Sequence, residues 1–99
     1  MKRWFFDRTE RTYVNGDRKI KTLGWPAGCI RYDDGSRFVD VDYEVDLRGL
    51  SIWPERVAQW TARDGSAIPV TADERRAIIA DILQYGSEHG TIIEPGGKL

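Results

Sequence analysis

Residues 37–47 alternate side chains without a break: Val39, Val41, Tyr43, Val45 and Leu47 fall on one side of an extended chain, and Phe38, Asp40, Asp42, Glu44 and Asp46 on the other. A period of two marks a strand with one face in the core and one in water. The chain must therefore build a sheet that is covered on one side and open on the other. Such sheets are antiparallel as a rule.

Turn chemistry on either side agrees. Asn15-Gly16 and Asp34-Gly35 are strong two-residue hairpin signals. With Asn15-Gly16 as the loop, Tyr13 faces Arg18 and Arg11 faces Ile20. With Asp34-Gly35 as the loop, Ile30 lies opposite Val39, Tyr32 opposite Arg37, Arg31 opposite Phe38 and Cys29 opposite Asp40. Residues 3–14 read as a strand or bent strand, 18–23 as its return and 29–32 as a short strand. Gly24-Trp25-Pro26-Ala27-Gly28 breaks the pattern between them. Residues 50–53 read as extended up to Pro54. Residues 55–60 read as a helical turn carrying Val57 and Trp60, and 62–69 as a polar loop around Asp64-Gly65.

One helix stands out. Thr71 and Glu74 form a capping box, Thr71 as N-cap. Ile78, Ile79, Ile82 and Leu83 share a stripe, with Tyr85 and Gly86 one turn on. Arg75, Arg76, Asp81, Gln84 and Glu88 take the wet side, and Gly86 or Gly90 ends the helix. Residues 91–94 then read as a closing strand. The fold expected is α+β: an antiparallel meander sheet of four to six strands, with one C-terminal helix packed on one face. Residues 1–94 form a single domain and 95–99 a flexible tail.

Composition narrows the function classes. The chain has 99 residues, 40% hydrophobic and 31% charged, which supports one folded core. No apolar run approaches the length of a membrane span. Residues 1–8 have a basic front without the apolar stretch of a signal peptide. Cys29 is the single cysteine, so no disulfide framework or cysteine-rich metal cage is available. These features predict a small, soluble, intracellular protein. Its net charge of −1 weighs against a dedicated nucleic-acid binder, but the charge is uneven. Residues 1–24 hold seven basic and three acidic side chains, residues 25–60 four basic and seven acidic. Either the two regions pair across one sheet, or they leave a dipolar surface that steers a charged partner.

No catalytic constellation is visible. Alternate residues of a strand lie about 6.6–7 Å apart, whereas a cation needs its oxygens within about 2.0–2.6 Å. Asp40, Asp42, Glu44 and Asp46 therefore make no metal cage alone, and the residue two beyond Glu44 is Asp46, not the lysine of a metallonuclease pattern. Cys29 reads as a buried, inert thiol. His89, the only histidine, sits in the last helical turn, where the dipole favours its charged form. Ser36, Ser51, Ser66 and Ser87 lack a nucleophile-elbow context, and there is no glycine-rich phosphate loop. The chain reads as a non-enzyme that needs no cofactor and no metal. Binding is the remaining class. The acidic stripe Asp40, Asp42, Glu44 and Asp46 reads as a solvated face partly paired with Arg31, Lys19 or Lys21, and the tryptophans as core; the functional reading is a docking surface for a basic protein partner, with Trp53 and Trp60 as aromatic anchors. The alternative is a single-stranded nucleic-acid module built on Trp4, Arg11, Tyr13, Arg18, Lys19, Lys21 and Trp25, or a structural domain that forms a homodimer through an exposed edge strand.

The order of elements also carries a resemblance. A strand ending in Tyr32, the turn Asp33-Asp34-Gly35, a strand carrying Glu44, the apolar Ser51-Ile52-Trp53, Trp60, the helix opening Thr71-x-x-Glu74-Arg75, Gly90 and a closing Ile92-Ile93-Glu94 succeed one another. This series, over residues 28–94, resembles the small bacterial immunity proteins of polymorphic-toxin loci, the immunity protein seventy-four family. The resemblance implies a bacterial cytoplasmic protein without catalytic residues that binds and blocks one cognate toxin. The basic N-terminal hairpin lies outside it.

Overall fold

The computed structural model describes residues 2–25 and 27–95. Among the described residues nine strands and one α-helix succeed one another: β1 Phe5–Asp7, β2 Thr12–Asn15, β3 Arg18–Leu23, β4 Ala27–Asp33, β5 Arg37–Val45, β6 Leu50–Ile52, β7 Gln59–Ala62, β8 Ala67–Pro69, α1 Ala72–Glu88 and β9 Ile93–Pro95. The sheet runs β1-β2-β3-β4-β5-β6-β9, and the β7–β8 hairpin joins it beside β5. All pairs are antiparallel except β6 with β9. A parallel pair needs a long crossover, and residues 53–92 provide it. The fold is α+β, with more strands than the four to six expected.

Both Asx-Gly hairpins differ from the sequence reading in the same way. Asn15 pairs with Arg18, so the loop is Gly16-Asp17. Asp33 pairs with Phe38, and the Asp34 N–H donates to the Arg37 carbonyl at 3.1 Å, so the second loop is Gly35-Ser36. Each glycine takes the first loop position, with φ of 63° and 102°, a conformation that disfavours any side chain. The register slides by two residues. Tyr13 faces Ile20, Tyr32 faces Val39, Ile30 faces Val41, Arg31 faces Asp40 and Cys29 faces Asp42. A slide of two keeps every side chain on its own face, so the core set survives the correction.

Six further stretches of the chain differ from the pattern expected. Residues 3–14 fold into two strands joined by a tight turn, in which Arg11 takes φ 55°. Ala27 and Gly28 belong to β4, because only a glycine lets the Leu23 carbonyl come so close at position 28. Residues 55–60 are not one helical turn: a 3-10 turn spans Pro54–Arg56 and Trp60 lies on β7. Residues 62–69 are a hairpin rather than a loop, closed by the Ala62 N–H to the Ser66 carbonyl at 2.8 Å. β5 stops at Val45, and Leu47 is a wholly exposed turn residue rather than an inward one. Pro95 ends β9, so it is not part of a tail, and 96–99 lie outside the described residues, as does Pro26.

The core sits between the inner face of the sheet and α1. Ile20, Ile30, Val41, Tyr43 and Ile52 from the sheet meet Ile78 and Ile82 from the helix, all essentially buried. Each such side chain contributes roughly 1.5–3 kcal/mol on burial. Ile79 and Leu83 are only partly buried. The capping box forms: the Glu74 N–H donates to Thr71 Oγ1 at 3.1 Å, and the Thr71 N–H donates to Glu74 Oε1 at 2.9 Å. Gly90, at φ 73°, follows the helix end.

Asp81 and Glu88 are not on the wet side. With Glu74 they form a row at seven-residue spacing, so two helical turns, about 10.5 Å, separate each from the next. Glu74 accepts from Arg37 of β5 at 2.8 Å and from the Trp60 indole at 3.1 Å. Asp81 accepts from Arg18 of β3 at 2.7 Å and from the Tyr32 hydroxyl at 2.5 Å. Glu88 Oε1 accepts the backbone N–H groups of Arg3 and Trp4, both at 2.8 Å. The helix therefore crosses the sheet diagonally, tied at its start, middle and end.

Candidate binding surface

The face of the sheet opposite α1 stays open. Strand parity places Lys19 and Lys21 of β3, Cys29 and Arg31 of β4, Asp40, Asp42 and Glu44 of β5, and Ser51 of β6 on it. The basic and acidic strands are not neighbours, because β4 lies between them. Lys21 faces Arg31, and Arg31 in turn faces Asp40. Among the described residues no ion pair links residues 1–24 to residues 25–60, although Lys19 faces Asp33 across β3 and β4. Lys19 pairs instead with Glu10, at 2.8 Å.

The four acids of the stripe have different fates. Asp40 is held by Arg31 through two hydrogen bonds of 2.8 and 3.0 Å, and that guanidinium lies over Phe38 at 4.1 Å. The hydrogen bond to Asp40 raises the Arg31 pKa further. Asp46 has left the strand. It caps the 46–49 turn, accepting from Arg48 N, Gly49 N and Ser51 Oγ at 2.8, 3.0 and 2.6 Å. The Ser51 hydroxyl and these two N–H groups hold its carboxyl below the usual range. Asp42 has a loose partner, Arg56 at 3.7 Å, with both side chains more than half exposed. Exposed pairs of this kind contribute little. Glu44 has no ion-pair partner among the described residues, and its strand neighbours are Ala27 and Ser51.

The tryptophans divide just as clearly. Trp60 is 3% exposed, bonded to Glu74 and covered by Arg37 at 4.1 Å, so it is core and not an anchor. Trp53 is half-buried beside the acids, and the Arg56 guanidinium lies 4.9 Å from its ring. Trp4 is fully buried, and Tyr13 packs on Tyr85 and His89. With Arg18 on Asp81 and Lys19 on Glu10, only Arg11, Lys21 and Trp25 of the proposed nucleic-acid set remain free to meet a ligand. Trp25, 73% exposed, stands at the mouth of a shallow groove of about 430 Å³ with Val45, Leu50, Tyr85 and Ile92.

The chain matches no family model, no curated protein and no solved structure.

Cys29 is half-buried rather than buried. Burial and then Asp40 and Asp42 push its thiol up, which disfavours the reactive thiolate. His89 Nε2 lies 2.8 Å from the Trp4 carbonyl. A carbonyl only accepts, so Nε2 carries the proton. No group of three or more His, Cys, Asp or Glu could hold a metal ion among the described residues. No helix there is long and apolar enough to cross a membrane.

Sequence reasoning missed Arg56, which links Asp42 to Trp53, because no periodicity placed residues 54–56 on that face. It also missed the roles of Asp81 and Glu88. The signal for those was present: carboxylates at 74, 81 and 88 fall on one helical row.

Proposed function

We propose that the chain is a non-catalytic immunity protein of bacterial cytoplasm that binds and neutralises a cognate toxin domain. The docking surface is the open face around Asp42, Glu44 and Trp53. One observation carries the surface: Glu44 lacks a cation partner among the described residues, and Asp42 has only a loose, exposed one, beside a half-buried tryptophan. Charge not neutralised within the fold is available to an outside partner, and an aromatic at its rim supplies contact area. Asp40, Asp46 and Trp60, engaged internally, drop out of the docking set. That the partner is a toxin rests on the resemblance over residues 28–94. Binding of this kind needs a rigid scaffold and no chemistry.

The test is capture of partners from a lysate of the source organism with tagged protein, at moderate salt. The expected result is one larger protein with a variable C-terminal domain, recovered in near-equal amount. That domain expressed alone arrests growth, and co-expression of this chain restores it. Recovery of nucleic acid, or growth arrest that the chain does not relieve, overturns the reading.

A further inference from the structure

Three strands leave an open edge among the described residues: β1, β8 and β9. β8 ends on Pro69 and β9 on Pro95, and a proline has no N–H to offer an incoming strand. β1 has no such protection. It is also apolar on both faces: Phe5 is 64% exposed on the open side and Phe6 50% on the helix side. Phe6 is the outer end of an aromatic row. Its ring lies 5.0 Å from Tyr13, which lies 4.8 Å from Tyr85 and 4.5 Å from His89.

We infer that two copies of this chain pair edge to edge through β1, antiparallel about a two-fold axis at Phe6, into one continuous sheet. The sequence around Phe6 selects a second copy. Lys2 and Arg3 precede β1 and Asp7 ends it, while Glu10 lies in the turn beyond and is already paired with Lys19. Antiparallel pairing carries the basic Lys2-Arg3 end of each strand toward the Asp7 end of the other, whereas parallel pairing sets the two basic ends together. The same axis puts Phe6 against the partner's Phe6, which joins the two aromatic rows. It also satisfies backbone groups that an edge strand leaves unpaired. A two-fold contact of this kind closes at two copies. The ladder is three residues long, so the contact is small and the dimer weak. This surface is separate from the Asp42–Glu44 face, so each copy keeps its docking surface.

Sedimentation velocity on the full chain, from low to several hundred micromolar, tests the inference. The expected result is a monomer–dimer equilibrium that Phe6→Lys weakens at least tenfold with an unchanged thermal melt. Phe5→Lys, on the opposite face, does the same and serves if Phe6→Lys does not fold. Ile92→Lys, at the far end of the sheet, and the double variant Asp42→Lys/Glu44→Lys keep the dimer. A monomer at every concentration overturns the inference, and so does a dimer indifferent to Phe5→Lys and Phe6→Lys or one lost in either control. None of these outcomes involves the toxin, so they leave the proposed function to its own test.

Discussion

Glu74 shows how much one carboxylate can hold. It closes the capping box with Thr71, receives the Trp60 indole and pairs with Arg37, whose guanidinium is also held by Asp34 at 3.0 Å. The Thr71 N–H first, then Trp60 and Arg37, lower its pKa from an ordinary 4.5 to about 2. A folded pKa below the unfolded one means a contribution that is full above pH 4.5 and declines as the pH falls toward 2. Glu74→Gln is therefore expected to melt lower than the natural protein at pH 7, with the difference shrinking in melts taken from pH 5 to 2. A constant difference would sink this account. The capping box was legible because its partners are three residues apart. The ties to Trp60 and Arg37 were not, since they depend on strands brought in by the fold. A tryptophan in a short apolar segment reads as core first and as an anchor second, and the indole bond to Glu74 puts Trp60 in the core.

At the scale of elements, the helix is fixed by an apolar stripe and a carboxylate row. Ile82, fully buried, is expected to cost about 2–5 kcal/mol when cut to Ala, measured by denaturant unfolding. Asp81→Ala leaves the Tyr32 hydroxyl and Arg18 without their acceptor. Its expected cost is about 1–3 kcal/mol, and Tyr32→Phe in the same background should then cost less than it does alone. Additive losses would show that Tyr32 and Asp81 are not coupled. The 3.6-residue period identified the helix but assigned every polar residue to water. It contains no term for a sheet strand carrying Arg18 or Tyr32 toward the helix. The hairpins show the converse. Alternation put the side chains of residues 37–45 on the correct faces, while Asx-Gly pairs did not reveal which loop position the glycine takes, so the register was two residues out.

For the whole molecule, the strand order decides what is offered outward. β4 separates the lysines of β3 from the acids of β5 and gives Asp40 its partner in Arg31. What remains outward is Asp42, Glu44 and Trp53, with Arg56 between. The α+β architecture was legible from alternation, turns and one capped helix. The parallel closing strand β9 was not, because a three-residue segment carries no sign of its partner. The open face itself followed from residues 37–45, but which of its acids stay available depended on pairing that only the register fixes. The most direct test of the proposed docking surface is the association rate of purified chain with the toxin domain proposed as its partner, by stopped flow at low and high salt, for the natural protein and for Asp42→Lys/Glu44→Lys. Opposed charge raises encounter rates by ten-fold or more at low salt. The account predicts a slower variant at low salt, with a flatter salt dependence and an unchanged melt. Equal rates at both salt concentrations would contradict it and move the interface off this face.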